Sequence, residues 1–208
     1  MIILIAAVLG SYLLGSIPSA LWVGRLVRRL DIREHGSGNM GAANAVRVLG
    51  LPWGVFVGFA DVAKGFVAAF WLGSFLAGNF PISADDAGIL CGATAIIGHL
   101  YPLFAGFRGG KGVLTALGIF AALLPFDIGV AVVGWITLFA VTRIVSVGSL
   151  TAALALAASV IMRRLLLGHA IADSLVIATL MITVLVFYTH RANLRRLMAG
   201  EESRFRRS

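Results

Sequence analysis

HGSGNMGAAN, from His35 to Asn44, sets Gly36, Gly38 and Gly41 in the spacing G-x-G-x-x-G. In an α/β protein that spacing marks the turn that cradles a dinucleotide; in a helical membrane protein the same glycines form an irregular loop between spans. A dinucleotide turn follows a strand, opens a helix and has an acid about 20 residues further on to hold the ribose. Asp61 lies at that distance, but inside an apolar run, and no strand pattern precedes the glycines. Of the 208 residues, 60% are hydrophobic and only 12% charged, with a mean hydropathy of +0.98. Soluble domains carry about a quarter charged residues. The stretch is therefore expected in an all-α, multi-pass membrane bundle.

Crossing a hydrocarbon core about 30 Å thick takes roughly 20 apolar residues. By that measure about seven transmembrane helices are predicted, near 1 to 24, 52 to 77, 87 to 105, 112 to 125, 128 to 142, 147 to 162 and 171 to 189. The fourth and fifth are short, and Pro125-Phe126-Asp127 between them reads as an external turn or as the tip of a re-entrant hairpin. The first run lacks the basic start of a signal peptide and ends in arginines, so it reads as a retained helix. Loops are short and no repeat stands out, which predicts one domain over 1–208. The tail, EESRFRRS from 201 to 208, is polar and is expected to fray, its arginines within reach of anionic headgroups.

Sorting charges by loop puts Arg25, Arg28, Arg29, Arg33, Arg47, Arg108, Lys111, Arg143 and six arginines after His190 on one side. By the positive-inside rule that side is cytoplasmic, with the N-terminus outside and the C-terminus inside. The other side holds Asp85, Asp86, Asp127 and Asp173, and only Arg163 and Arg164 dissent. The net charge of +8 thus reads as topology and anion attraction, with no call for nucleic acid. The single cysteine, Cys91, lies within a span and excludes a disulfide framework. The four histidines lack ligand spacing, so no metal site is expected.

Three polar stretches interrupt the apolar background: REHGSGNMGAANAVR (33 to 47), GFRGGKG (106 to 112) and HRANLRRLMAGEE (190 to 202). On the topology above, all three emerge on the cytoplasmic side, as an active site at the membrane surface requires. In the first, glycines let backbone N–H groups turn toward an anion, with Ser37, Asn39 and Asn44 as further donors and Arg47 as a bidentate phosphate grip. The second sets Arg108 and Lys111 among glycines and resembles a P-loop only superficially, because Gly112 stands where a magnesium-binding hydroxyl would be. In the third, His190, Asn193 and Arg196 fall on roughly one helical face. Asp61 and Lys64, one turn apart inside the second span, either pair for structure or line a site. His99 either buttresses the second glycine loop or satisfies a buried carbonyl.

Together these motifs resemble the bacterial acyl-phosphate:glycerol-3-phosphate acyltransferases, the PlsY-type integral membrane enzymes. GSGNMGAAN, GGKG and HRANLRRLMAGEE follow that family's order and spacing, and DVAKG (61 to 65) and GHLYP (98 to 102) extend the likeness over nearly the whole chain. Ala43 and Ala192 depart from the family's usual Thr and Glu. The resemblance implies transfer of a fatty acyl group from acyl phosphate to the 1-hydroxyl of glycerol 3-phosphate, without cofactor or required protein partner, at the cytoplasmic face of a bacterial inner membrane. It implies that Ser37 holds the acyl phosphate, helped by the Gly38 and Asn39 backbone, with a covalent acyl-Ser37 as the alternative. Arg47, Lys111, His190 and Asn193 would hold the glycerol 3-phosphate and the leaving phosphate, with Ser149 as a further donor. The proton of the attacking hydroxyl goes either to His190 or to a substrate phosphate. No His-x4-Asp pair is present, which argues against the acyl-CoA enzymes that use one. The competing class is an organic-anion or phosphate transporter, suggested by Asp61, Lys64 and the short fourth and fifth runs.

Overall fold

In the computed structural model, which describes residues 1–205, the chain is helical and falls into two compact units that meet in sequence at Leu123 and Leu124. The first unit opens with α1 (Ile2–Gly15) and α2 (Ser19–Arg28), which make one apolar run of 27 residues broken at 16 to 18. Pro18 explains the break, since it has no N–H to continue the ladder. At the break the Ile17 carbonyl accepts from the Ser19 N–H at 3.1 Å and from Lys64 Nζ at 3.2 Å. After the first glycine loop come α3 (Ala42–Leu49) and α4 (Leu51–Val67), the latter continuing through a π-helical turn into α5 (Gly73–Asn79). Next is α6 (Ala84–Leu100), whose start is capped by Ser83 accepting from the Asp86 N–H at 3.1 Å, with Asp85 and Asp86 favouring the helix dipole. The unit closes with α7 (Val113–Leu123), preceded by the second glycine loop.

Helix α1 packs on α6, and α4 on α7. Small side chains at the first interface, Ala7, Ala87 and Cys91, let backbones approach closely, the main source of helix association in lipid. A second cluster, including Leu21, Ile32, Met40, Leu49, Val57 and Ala105, fastens both glycine loops to the ends of α2 and α4.

The second unit contains α8 (Pro125–Thr142), α9 (Val145–Leu165), α10 (Asp173–Thr189) and α11 (Arg191–Met198), with α8 and α10 both packed on α9. Helices α10 and α11 meet at a 58° bend. Five runs are long and apolar enough to cross a membrane, or six if α10 and α11 count as one, so this is a membrane protein of the expected fold class. The fourth expected span, α7, has 11 residues and is about 16 Å long, too short to cross alone. The fifth is longer than expected. Pro125 stands at the start of α8, where its fixed φ suits a helix start, so Pro125-Phe126-Asp127 is a first turn and not a loop tip.

That shift buries Asp127 completely. Its carboxylate accepts from Ser159 Oγ at 2.6 Å and from Arg163 Nη1 at 2.5 Å. Arg164 pairs with Asp173. The two arginines that dissented from the charge asymmetry are therefore each matched by an acid.

The tail also differs from expectation over its described part. Glu202 is largely buried and accepts from Ser146 Oγ at 2.8 Å, Asn193 Nδ2 at 2.5 Å and Arg196 Nε at 2.7 Å. Phe205 N–H donates to the Arg143 carbonyl at 2.8 Å, and the Phe205 ring meets Phe139 edge-on. A carboxylate with three donors and an aromatic with a ring partner hold residues that polarity alone would leave loose. Arg206, Arg207 and Ser208, the rest of the tail expected to fray, lie outside the described residues.

Candidate active site

The first glycine loop is built on Asn44. Its side chain is fully buried, its Oδ1 accepts the Ser37 N–H at 2.8 Å, and its Nδ2 donates to the carbonyls of Ile32 at 3.1 Å and His35 at 3.0 Å. Every polar atom of that amide is engaged within the loop, so Asn44 shapes it. Gly36 follows from this arrangement: its φ is +62°, and a Cβ there would collide with the Asn44 amide.

The Gly38 N–H donates to the His35 carbonyl at 3.1 Å, so it too faces inward. Among the described residues, the N–H groups of Asn39, Met40, Gly41, Ala42 and Ala43 donate no hydrogen bond. The backbone donors on offer thus begin at Asn39, one residue later than the glycine pattern suggested, and run into the first turn of α3. The exposed Ser37 hydroxyl sits just before them, and Arg47 is exposed on α3.

Arg33 joins this loop to the second. It grips Asp31 through Nε at 2.9 Å and Nη2 at 2.6 Å, while its Nη1 donates to the Ala105 carbonyl at 2.8 Å. The Arg33 side chain holds the Asp31 carboxyl down at about 2, with the nearby charge of Arg25 adding to the effect. Gly110 completes the junction. Its N–H donates to the His99 carbonyl at 3.1 Å, and a Cβ on Gly110 would strike the His99 ring and come within 3.0 Å of the Met40 carbonyl. His99 therefore buttresses the second loop, one of the two roles the sequence allowed. Lys111 follows, half-buried.

Behind the junction lies the buried ionisable pair. Lys64 Nζ is 2.9 Å from Asp61 Oδ1, the Ser19 hydroxyl is 3.2 Å from the same oxygen, and His99 Nδ1 is 3.8 Å away. These groups, with Met40 and Gly110, line a cavity of about 10 Å³. Asp61 and Lys64 accordingly pair for structure, and Lys64 also holds the Ile17 carbonyl at the break between α1 and α2.

In the second unit, His190 sits at the bend between α10 and α11, buried, with Nδ1 2.8 Å from the Val186 carbonyl. A carbonyl only accepts, so Nδ1 carries a proton in this contact. Asn193 and Ser146 share Glu202 Oε1. Burial raises the Glu202 carboxyl, but the hydrogen bonds from Asn193, Arg196 and Ser146 outweigh it and hold it below the ordinary value. Ser149, one turn beyond Ser146 on α9, donates to the Val145 carbonyl at 3.0 Å.

This geometry can be set beside known proteins. The family model described as glycerol-3-phosphate acyltransferase matches residues 5–200, through both units. The chain belongs to the glycerol-3-phosphate acyltransferase family. Relatives of that name include a protein of Chlorobaculum parvum, 39% identical over 98% of this chain and 97% of its own length. Another, from Listeria welshimeri, is 41% identical over 94% and 93%. The crystal structure of PlsY (YgiH), an integral membrane glycerol 3-phosphate acyltransferase in its glycerol 3-phosphate form, superposes with a TM-score of 0.83 at 33% identity, covering 97% of this chain and 95% of that one.

The protein is thus an acyltransferase enzyme, and the transporter reading falls. Asp61 and Lys64, which suggested transport, are explained by their pairing. Two residues of this acyltransferase escaped the sequence reading. Arg33 was counted only as a topological charge, because nothing in the chain announces a contact with Ala105, 72 residues away. Glu202 closes the HRANLRRLMAGEE stretch, and its place in that motif was the available signal.

Proposed function

We propose that this acyltransferase moves a fatty acyl group from acyl phosphate to the 1-hydroxyl of glycerol 3-phosphate, at the cytoplasmic face of a bacterial inner membrane, with the N-terminus outside. The observation that carries the reading is the joining of the two glycine loops within one unit, by Arg33 on the Ala105 carbonyl and by Gly110 against Met40 and His99. Both substrates bear phosphate, and two adjacent cationic loops meet that need. The family match through both units supports taking 1–208 as one acyltransferase domain.

In this reaction the hydroxyl oxygen attacks the acyl carbon, the carbon–oxygen bond to phosphate breaks, and inorganic phosphate leaves with the bonding pair. Because the anhydride already has a good leaving group, placement and oxyanion stabilisation carry most of the rate. The Ser37 hydroxyl and the open N–H groups from Asn39 onward hold the acyl phosphate. Gly38 and Asn44 act by shaping that loop. Arg47 and Lys111, together with His190, Asn193 and Ser149, hold the glycerol 3-phosphate and the departing phosphate. The proton of the hydroxyl passes to a substrate phosphate; His190 is the alternative acceptor.

Replacing one such donor lowers turnover by about 100-fold or more. Ser37→Ala and Lys111→Ala should each do so while the protein inserts and purifies as wild type. If either variant kept near-normal turnover, the role given to that side chain would be wrong.

A further inference from the structure

A cationic groove lies on the first unit, beside the contact of Arg33 with the Ala105 carbonyl. A groove of about 510 Å³ runs between the end of α2 and the segment entering the second glycine loop, and is lined by Leu21, Arg25, Arg33, Phe104, Gly106 and Arg108 among others. Its lining includes none of Ser37, Asn39, Arg47 or Lys111, and no acidic residue. We propose that this groove binds the phosphate-bearing headgroup of an anionic phospholipid from the surrounding bilayer.

Three features argue for a lipid. First, the cations are not all committed inward. Arg33 is engaged with Asp31 and the Ala105 carbonyl, but Arg25 is more than half exposed and only 3.7 Å from Asp31, and Arg108 is exposed with no partner among the described residues. Asp31 thus faces two arginines with a single carboxylate, which leaves the groove with a surplus of positive charge for an outside anion. Second, the rim is apolar: Leu103 and Phe104 of the lining are exposed, and the exposed Trp22 ring lies 6.3 Å from that of Phe104. A soluble phosphate has no use for such a rim, whereas acyl chains below a headgroup do. Third, the groove stands at the basic end of the first apolar run, where aromatic side chains mark the membrane interface and arginines attract anionic lipid. The volume is that of a small-molecule site. The proposal requires only that the chain spans a bilayer, so it stands or falls apart from the acyl-transfer reading.

The test uses the full chain with Trp22 as the sole tryptophan, through Trp53→Phe, Trp71→Phe and Trp135→Phe, in bilayer nanodiscs. Trp22 fluorescence is followed as brominated phosphatidylglycerol or brominated phosphatidylcholine is added at equal mole fraction. A basic side chain near an anionic surface enriches the lipid about fivefold, so phosphatidylglycerol should quench at several-fold lower mole fraction. Arg25→Gln with Arg108→Gln should remove the preference, and the two Lys replacements should keep most of it. Equal quenching by the two lipids would overturn the proposal, and so would a preference that survives the Gln replacements. Displacement of the lipid by millimolar glycerol 3-phosphate or inorganic phosphate would also overturn it, by making the groove a site for soluble phosphate.

Discussion

Asn44 illustrates how a polar residue in a glycine-rich motif can serve the shape of its own loop. The glycine-rich stretch was legible as an anion loop because G-x-G-x-x-G without a strand leaves few other uses. Which N–H groups face outward was not legible, since that depends on where the Asn44 amide is fixed. Asn44→Ala should cost about 1–3 kcal/mol by stranding buried polar partners. It should also depress turnover more than the affinity for glycerol 3-phosphate. Normal kinetics in a variant destabilised on thermal unfolding would separate the loop's stability from its function. Asp31 gives a pH prediction. Its carboxyl is lowered from 3.8 to about 2, so its pairing stabilises the fold fully above about 3.8, and the contribution is lost as pH falls through about 2. Asp31→Asn should therefore melt below wild type at pH 7, with the gap closing toward pH 2.

At the scale of elements, hydropathy located the apolar runs well and their ends poorly. The start of α8 is the instructive case, because Pro125 serves equally as a turn former and as a first helical residue. What selects the helix is the burial of Asp127 against Ser159 and Arg163, more than thirty residues away. Asp127→Ala leaves Arg163 without its carboxylate and strands the buried Ser159 hydroxyl, and should destabilise the second unit by about 1–3 kcal/mol. An unfolding midpoint equal to wild type would contradict that account. The tail makes the same point: Glu202 and Phe205 are anchored by Ser146, Asn193, Arg196 and Arg143, which lie as far apart in sequence as positions 143 and 196. Glu202→Ala should make residues 201 to 205 exchange amide hydrogens faster, while α8 stays protected. Unchanged exchange there would show that the carboxylate is not the anchor.

For the whole molecule, composition and charge asymmetry gave the class, and the order of three polar motifs gave the family. The pairing of Arg163 with Asp127 and of Arg164 with Asp173 gives these two arginines a structural role, while the orientation itself is a matter for labelling. A cysteine introduced at Ser203, with Cys91 replaced by Ala, should react with an impermeant maleimide in inverted vesicles and not in right-side-out ones; the opposite labelling would reverse the topology. The most direct measurement is a donor comparison on the purified protein, supplying glycerol 3-phosphate with acyl phosphate, acyl-CoA or acyl-carrier protein. We predict lysophosphatidic acid and an equal amount of inorganic phosphate from acyl phosphate. Product from acyl-CoA or acyl-carrier protein but none from acyl phosphate would contradict the account.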